Sequence, residues 1–340
     1  MKAIQVVKYG DASTAFKISE VEKPKPRADQ ILIKTEVFGL NFADVMARLG
    51  QYDAAPPLPA VIGYDVVGVV VEVGSEVQNI KVGDRTTAIT RFGGYAEYAV
   101  TNSKACAKIS NNMDAGEACA LTTQYCTAHF AAEEMLRLHS GDLVLIHAAA
   151  GGVGTALVQI AKHHGCEIFG TCGSDDKVKY LRSIGVQYPI NYQTQDFVSV
   201  IRELTKKEKP LDVVFDAIGG ANFRKGLSLL NAGGRIVAYG ASSMTDAKNK
   251  LTQLWVGLQF GFFHPVKFLM PSQSLIGVNM LAVGDQNPKM LERVLSEVSE
   301  RFEKGIYKPV VAARFKATDI SKAHEFLQSR KSIGKIVVSF

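Results

Sequence analysis

Tryptophan is almost missing from this 340-residue sequence, cysteine is scarce, and no apolar run is both long and unbroken enough to cross a membrane. The single tryptophan is Trp255, and the five cysteines are Cys106, Cys119, Cys126, Cys166 and Cys172. An odd count with no C-x-x-C pair excludes a disulfide framework and reads as reduced thiols in a reducing compartment. The opening Met1-Lys2-Ala3-Ile4-Gln5 lacks the apolar core of a signal peptide, so the expected location is cytoplasmic. Residues 143–161 carry no Asp, Glu, Lys or Arg, a length that matches a spanning helix. Ala150-Gly151-Gly152-Val153-Gly154 sits in their centre, however, and fits a strand, a glycine turn and a helix instead. One-sided charge is lacking too. The net +6 comes from 39 basic and 33 acidic residues that are interspersed, and the densest run, Lys206-Lys207-Glu208-Lys209, reads as a solvated helix end. No nucleic-acid-binding face is expected. With 47% hydrophobic residues the chain is globular rather than disordered, and its length suggests two domains.

What is present divides by rhythm. Short strands are predicted over 3–8, 30–37, 66–73 and 95–100, where β-branched and aromatic residues lie between Gly, Pro and Asp signals. From about residue 124 strands and helices alternate. Strands are expected at 143–147, 167–171, 187–190, 213–216, 235–239 and 274–280. Helices are expected at 153–164, from Ser174 to just before Gly185, at 196–204 and at 222–230. This alternation means a parallel sheet with helices on both faces. Residues 288–303 and 320–329 are predicted helices, and 310–314 and 334–338 predicted strands; the economical topology returns this tail to the N-terminal half.

The most specific local signal is His147-Ala148-Ala149-Ala150-Gly151-Gly152-Val153-Gly154. A strand ends, the chain turns on residues without bulk, and a helix begins with its N–H groups free to face an anion. Inside a βαβ unit this is dinucleotide-binding geometry, and it nominates Ala150, Gly151, Gly152, Val153 and Gly154 as cofactor contacts. An NAD site would carry an acid at the end of the second strand. Here Gly170-Thr171-Cys172-Gly173-Ser174 has none, and Ser174, Lys177 and Tyr192 suit a 2′-phosphate. NADPH is therefore favoured, with Gly173 beside the same turn. Lys177 has a second reading as a solvent-facing helix residue, and Asp175 and Asp176 beside it as partners of the helix dipole.

At this point the chain resembles the medium-chain dehydrogenase/reductase superfamily, and within it the zinc-independent quinone oxidoreductases of the vesicle amine transport protein-like branch. The resemblance rests on Gly39-Leu40-Asn41-Phe42-Ala43-Asp44, Gly63-Tyr64-Asp65-Val66-Val67-Gly68, Val82-Gly83-Asp84-Arg85, the 148–154 turn and Gly277-Val278-Asn279-Met280. It implies an α/β fold with a GroES-like, mostly-β catalytic domain (1–123 and 283–340), a Rossmann doubly wound parallel sheet domain (124–282) and a cleft between them. Where the zinc enzymes place a Cys and a Gly-His-Glu, this chain has Asn41 and Gly63-Tyr64-Asp65, and the four-Cys structural lobe is missing; no metal is expected. Asp65 departs from the usual Glu of that motif.

Without a metal, the acceptor must already be electrophilic, as a quinone or an α,β-unsaturated carbonyl is. The resemblance implies NADPH-dependent quinone reduction and places Asn41, Tyr52 and Thr127 around the nicotinamide or the acceptor. Tyr52 would donate to a carbonyl oxygen and Asn41 would orient ring or substrate; the bland alternative for Tyr52 is a loop aromatic packed near Pro56 and Pro57. Asp44 either orients a neighbour or caps the helix predicted over 44–49. Gly240, Gly277, Val278 and Asn279 are expected to border the cofactor, whereas Asp216 and Gly219-Gly220 divide between a turn role and a ligand contact. Homodimerisation through the last strand of the sheet is also implied. The uncharged 251–266 segment, flanked by Lys248, Lys250 and Lys267, has three readings: acceptor pocket, dimer interface or membrane surface. Two other activities compete with the main one: an enoyl or alkenal reductase, and a non-enzymatic NADPH-binding protein that acts through membrane, RNA or protein contacts.

Overall fold

The computed structural model describes residues 1–246 and 250–340; Lys248 lies outside the described residues. The chain forms two units, Met1–Cys126 with Met280–Phe340, and Thr127–Asn279.

The first unit is built on a seven-stranded sheet. Its order is Val311–Lys316, Lys335–Ser339, Gln30–Leu40, Asp65–Val73, Arg85–Ile89 and Cys106–Lys108, with Tyr98–Asn102 pairing to the other half of Gln30–Leu40. All pairs are antiparallel except the first, which is parallel and carries the helix Ile320–Gln328 between its strands. Side chains on one face of these strands, among them Ile31, Ile33, Phe38, Val66 and Val70, form one core with Ile4, Tyr95 and Ile336, while Val67 and Val337 on the other face join a second, smaller cluster. A smaller antiparallel sheet joins Phe16–Glu20, Lys2–Val6 and Ala60–Val61. The sequence signals miss Phe16–Glu20, because this edge strand is mostly exposed and has no clean apolar alternation to show.

The second unit is a six-stranded, wholly parallel sheet in the order Tyr188–Asn191, Glu167–Cys172, Leu143–Ile146, Leu211–Asp216, Leu230–Ala238, Ser274–Gly277. In chain order this is 3-2-1-4-5-6, the doubly wound dinucleotide-binding arrangement. Its central strands are covered on both faces, so they read as continuous apolar runs: Val144, Leu145, Ile146, Val213, Val214 and Phe215 are all fully buried. Each contributes about 1.5–3 kcal/mol of transfer free energy.

Two predicted boundaries are corrected. The strand expected from 235 begins at Leu230, because the chain passes Gly233 at φ +82° and shifts register between Leu211 and Val213 to stay paired. The strand expected over 274–280 ends at Gly277. Val278 N–H still bonds Ala238 O, but Met280 opens the helix Met280–Gln286. The 251–266 segment contributes the helix Lys250–Phe260, from which Phe260 packs with Phe263 on Phe223. Its other side faces outward, with Trp255 62% and Phe262 89% exposed.

Candidate functional site

In the second unit the strand Leu143–Ile146 runs into His147, which is buried with Nδ1 3.0 Å from Thr171 Oγ1. Ala148 adopts φ +51°, uncommon for a residue with a side chain. Gly151 N–H then closes the turn on Ala148 O at 2.8 Å, and the helix Gly152–His163 starts with no side chain capping it. Its first-turn amides are thus left for a ligand. A Cβ on Gly154 would fall 2.3 Å from Ala148 O and 2.7 Å from Ala149 Cα, so only glycine lets this helix approach the strand end. At Gly151 the nearest atom would be 3.2 Å away, a looser constraint.

The neighbouring strand ends bring Gly173, Ser174, Lys177 and Tyr192 together. Cys172 pairs with Asn191, and Tyr192 N–H bonds Cys172 O at 3.0 Å. A Cβ on Gly173 would lie 2.5 Å from the Tyr192 hydroxyl, so the glycine makes room for the phenol. Ser174 Oγ accepts from Lys177 N at 3.3 Å and caps the helix Asp175–Ser183. The Lys177 side chain is half-buried, and loss of water lowers its ammonium from the ordinary lysine value. Asp175 is turned aside, its Oδ1 accepting from Asn191 Nδ2 at 2.8 Å. The residues that reach this edge are a hydroxyl, an ammonium and a phenol, a donor set that fits a phosphate.

The remaining predicted cofactor residues lie at the other strand ends. Gly240 follows Leu230–Ala238, where a Cβ would meet Ala217 O at 2.8 Å. Gly277 ends its strand, Val278 is buried and Asn279 is exposed. Asp216 accepts from Ile218 N at 2.8 Å and from Gly219 N at 3.1 Å, which is turn geometry. Thr127, the first residue of this unit, is buried between two widened helical turns, Leu121–Tyr125 and Phe130–Glu134.

In the first unit Asn41 precedes the helix Phe42–Arg48. Its backbone N–H donates to Asp44 Oδ2 at 2.7 Å, so Asp44 does cap this helix. Burial pushes the Asp44 carboxyl up from 3.8 to about 7, with Asp65 adding to the rise and the Asn41 N–H and Lys335 opposing it. Asn41 Nδ2 donates to Asp65 Oδ2 at 2.7 Å, and Lys335 Nζ donates both to Asn41 Oδ1 at 3.0 Å and to Asp65 Oδ2. Thr123 donates to Asp65 Oδ1 through its N–H, at 3.1 Å, and through its hydroxyl. Tyr52 is partly buried against the core, its ring edge-on to Tyr64 at 6.5 Å. Sequence reasoning missed Lys335 altogether. Its trace was there, as a lysine opening the otherwise apolar strand Ile336-Val337-Val338.

Among the described residues no group of three or more His, Cys, Asp or Glu is arranged to hold a metal ion. No helix there is long and apolar enough to cross a membrane.

A 3-2-1-4-5-6 parallel sheet with a glycine turn at its first strand, in one chain with a mostly antiparallel β unit, defines a two-domain α/β dehydrogenase-type protein. Residues 27–111 match the alcohol dehydrogenase GroES-like domain family, and residues 152–296 match the family described as zinc-binding dehydrogenase. The human synaptic vesicle membrane protein VAT-1 homolog is 33% identical over 93% of this chain and 80% of its own length. The zebrafish homolog is 32% identical over 94% of the chain, which spans only 66% of that relative. Among solved structures, Escherichia coli quinone oxidoreductase complexed with NADPH superposes with TM-score 0.86 at 25% identity and full coverage of both chains. The CurK enoyl reductase superposes with TM-score 0.85 at 26% identity, over 99% of this chain and 98% of that one. The chain belongs to the medium-chain dehydrogenase/reductase superfamily, in the branch of the VAT-1 homologues and quinone oxidoreductases.

Proposed function

We propose that this chain is an NADPH-dependent oxidoreductase that delivers hydride to a quinone or a similar electrophilic carbonyl without a metal. The observation that carries the reading is the edge formed by Ser174, Lys177 and Tyr192. A hydroxyl, an ammonium and a phenol stand there where an NAD-specific site would hold an acid, beside a helix N-terminus left uncapped, and this supports a 2′-phosphate. The relatives named as quinone oxidoreductases, one of them an NADPH complex, support it.

The residues present fit the cofactor. Gly151, Gly152, Val153 and Gly154, with Ala150, would hold the pyrophosphate through backbone N–H groups. Ser174, Lys177 and Tyr192 would hold the 2′-phosphate over Gly173, and Gly240, Gly277, Val278 and Asn279 would border the nicotinamide end. When bound, NADPH supplies the hydride, two electrons with one proton, and leaves as NADP⁺. Tyr52 donates a hydrogen bond to the acceptor oxygen and stabilises the negative charge that builds there; Asn41 and Thr127 orient the reacting groups. A proton from solvent completes the reduction of the acceptor. Asp65, held by Lys335, Thr123 and Asn41, is already committed within the protein, and this supports the metal-free reading.

The same geometry serves an enoyl or alkenal reductase, a reading favoured by the likeness to CurK enoyl reductase. The ratio of kcat/KM for a quinone and an enone separates the two. We also propose a cytoplasmic homodimer. Its support is the strand Ser274–Gly277, which stands at the edge of the sheet with Leu275 exposed. Beside it Phe263, Pro265, Phe268 and Leu275 line an apolar groove of about 530 Å³. Such an edge invites pairing with a second copy.

The test follows NADPH absorbance with a quinone and an enone, in chelator, with NADH in parallel. Rapid oxidation of NADPH and slow oxidation of NADH are expected. Tight binding of NADPH with no turnover of either acceptor would overturn the enzyme reading in favour of a non-enzymatic NADPH-binding protein. Preference for NADH would overturn the roles of Ser174, Lys177 and Tyr192.

A further inference from the structure

The first unit contains a charge pair that the reaction described above does not use. Asp65 opens the strand Asp65–Val73 and Lys335 opens the strand Lys335–Ser339, yet these strands are not neighbours. The strand Gln30–Leu40 runs between them, pairing Gly39 with Asp65 on one side and with Val337 on the other. Lys335 reaches its carboxylate only by crossing that central strand. Gly39 opens the way, since a Cβ there would sit 2.2 Å from Lys335 Cε and 2.8 Å from Nζ. Asp65 and Lys335 are both fully buried, and a buried ion pair is weak evidence for stability because desolvation offsets most of the attraction. A pair of well-packed apolar residues would serve a core at least as well. Its presence calls for a local reason.

That reason is the company it keeps. Asn41, 8% exposed, is one of two less buried side chains that the fully buried pair holds, Thr123 on the far oxygen of Asp65 being the other. Both ends of its amide are fixed: Nδ2 gives one hydrogen to Asp65 at 2.7 Å, and Oδ1 takes one from Lys335 at 3.0 Å. Lys335 has only donors and Asp65, as a carboxylate, only acceptors. The amide therefore cannot flip without facing like against like. One Nδ2 hydrogen remains, and its direction is set by the pair behind the amide.

We propose that Asp65 and Lys335 are positioning residues that lock the orientation of the Asn41 amide, with Thr123 fixing the far oxygen of Asp65. The proposal rests on the reading that Asn41 touches the nicotinamide or the acceptor. It assigns the otherwise unexplained Asp65 of the Gly63-Tyr64-Asp65 motif, and the unexpected Lys335, to the same task. The charges act through Asn41 on the reacting groups and do not themselves touch substrate.

The test is a mutant cycle. Removing one partner alone would strand a buried charge, so the informative variant replaces both, Asp65→Leu with Lys335→Met, which keeps the volume apolar. Its melting temperature and its NADPH Kd are expected to stay near those of the parent, because the cofactor turn lies in the other unit. Its kcat with the quinone is expected to fall roughly 10- to 100-fold, as loss of orientation costs rate rather than cofactor affinity. Asn41→Ala alone should fall by a similar factor, and adding it to the double variant should cost less than about 3-fold more. Multiplying losses, or an unchanged kcat in the double variant, would overturn the positioning role while leaving the reaction assignment standing. An Asn41→Ala protein with parental kcat would instead remove Asn41 from the site, and this proposal with it. Thr123→Val, which keeps both charges and deletes one hydroxyl contact, covers the case in which the double variant does not fold. A loss of a few-fold in kcat at constant Kd supports the proposal, and no loss overturns it.

Discussion

The glycine turn of the second unit and the Asn41 cluster of the first are built from opposite materials. At the turn the proposed ligand contacts are backbone: the uncapped amides after Gly151, on a helix that the missing side chain of Gly154 lets approach the strand end. In the cluster they are side chains, with a buried carboxylate and a buried ammonium holding an amide. Backbone donors are placed by the path of the chain and survive most substitutions that spare the glycines. Side-chain donors are placed by their partners, and each partner lost leaves another polar group without one. The turn should therefore be tolerant and the cluster brittle.

The largest effect expected from that contrast is on stability. Lys335→Met alone leaves the Asp65 carboxylate buried without its cation and should cost about 3–5 kcal/mol, read by urea unfolding. The double replacement with Asp65→Leu should recover most of it. A single variant as stable as the parent would show that water or a neighbour takes over from the ammonium, and the cluster would not be brittle.

A second cut uses pH. The folded Asp44 carboxyl titrates at about 7, above its ordinary 3.8, because burial disfavours its charged form. A group raised on folding contributes stability that is full below about pH 4 and is lost as pH climbs through 7. The stability of the parent relative to Asp44→Asn should accordingly fall by about 1.4 kcal/mol per pH unit across that window. A difference that stays flat with pH would mean that Asp44 is ionised throughout. The glycine turn contains no such raised carboxyl, and its variants should show no matching slope.

This contrast also explains how much could be read in advance. The turn and the edge proposed to hold the 2′-phosphate occupy one continuous stretch, His147 to Tyr192, and each residue type there suggests its role locally. The doubly wound sheet was legible for the same reason, as strand and helix alternate at fixed spacing. The cluster joins residues 24, 270 and 294 positions apart. Asn41 and Asp44 were visible through their motif, but Lys335 looked like one charge among 39 basic residues. Only the register that sets Gly39 between Asp65 and Val337 brings it inward. The 251–266 segment was ambiguous because apolar residues alone do not say what covers them. The structure shows that Phe260 and Phe263 face the core while Trp255 and Phe262 do not.

Within the second unit the comparison can be sharpened by a side chain set into the backbone-built site. Lys177→Ala removes an ammonium from a half-buried position, and NADPH Kd should rise about 10-fold, or about 1.4 kcal/mol, while NADH Kd changes little. Equal losses for both cofactors would show that Lys177 supports the fold of the edge and does not read the 2′-phosphate.

Ser174→Ala should be the mildest change and the most discriminating. The Ser174 oxygen caps the helix Asp175–Ser183 by accepting from Lys177 N, but at 3.3 Å the bond is long. Loss of an ordinary N-cap costs about 0.5–2 kcal/mol, and the long bond places this one near the lower figure. The accepting lone pair is used by the cap, whereas the hydroxyl hydrogen remains to be given to a phosphate oxygen. The two roles therefore separate by assay: a small drop in melting temperature reports the cap, and a several-fold rise in NADPH Kd with no change for NADH reports the phosphate. Ser174→Asp keeps a capping oxygen but replaces the donor with a negative charge. It should hold the melting temperature near the parent's while turning the preference toward NADH. If instead Ser174→Asp binds NADPH as well as the parent, the 2′-phosphate does not lie against this helix. The backbone turn would then hold the pyrophosphate with no 2′-phosphate contact from this helix.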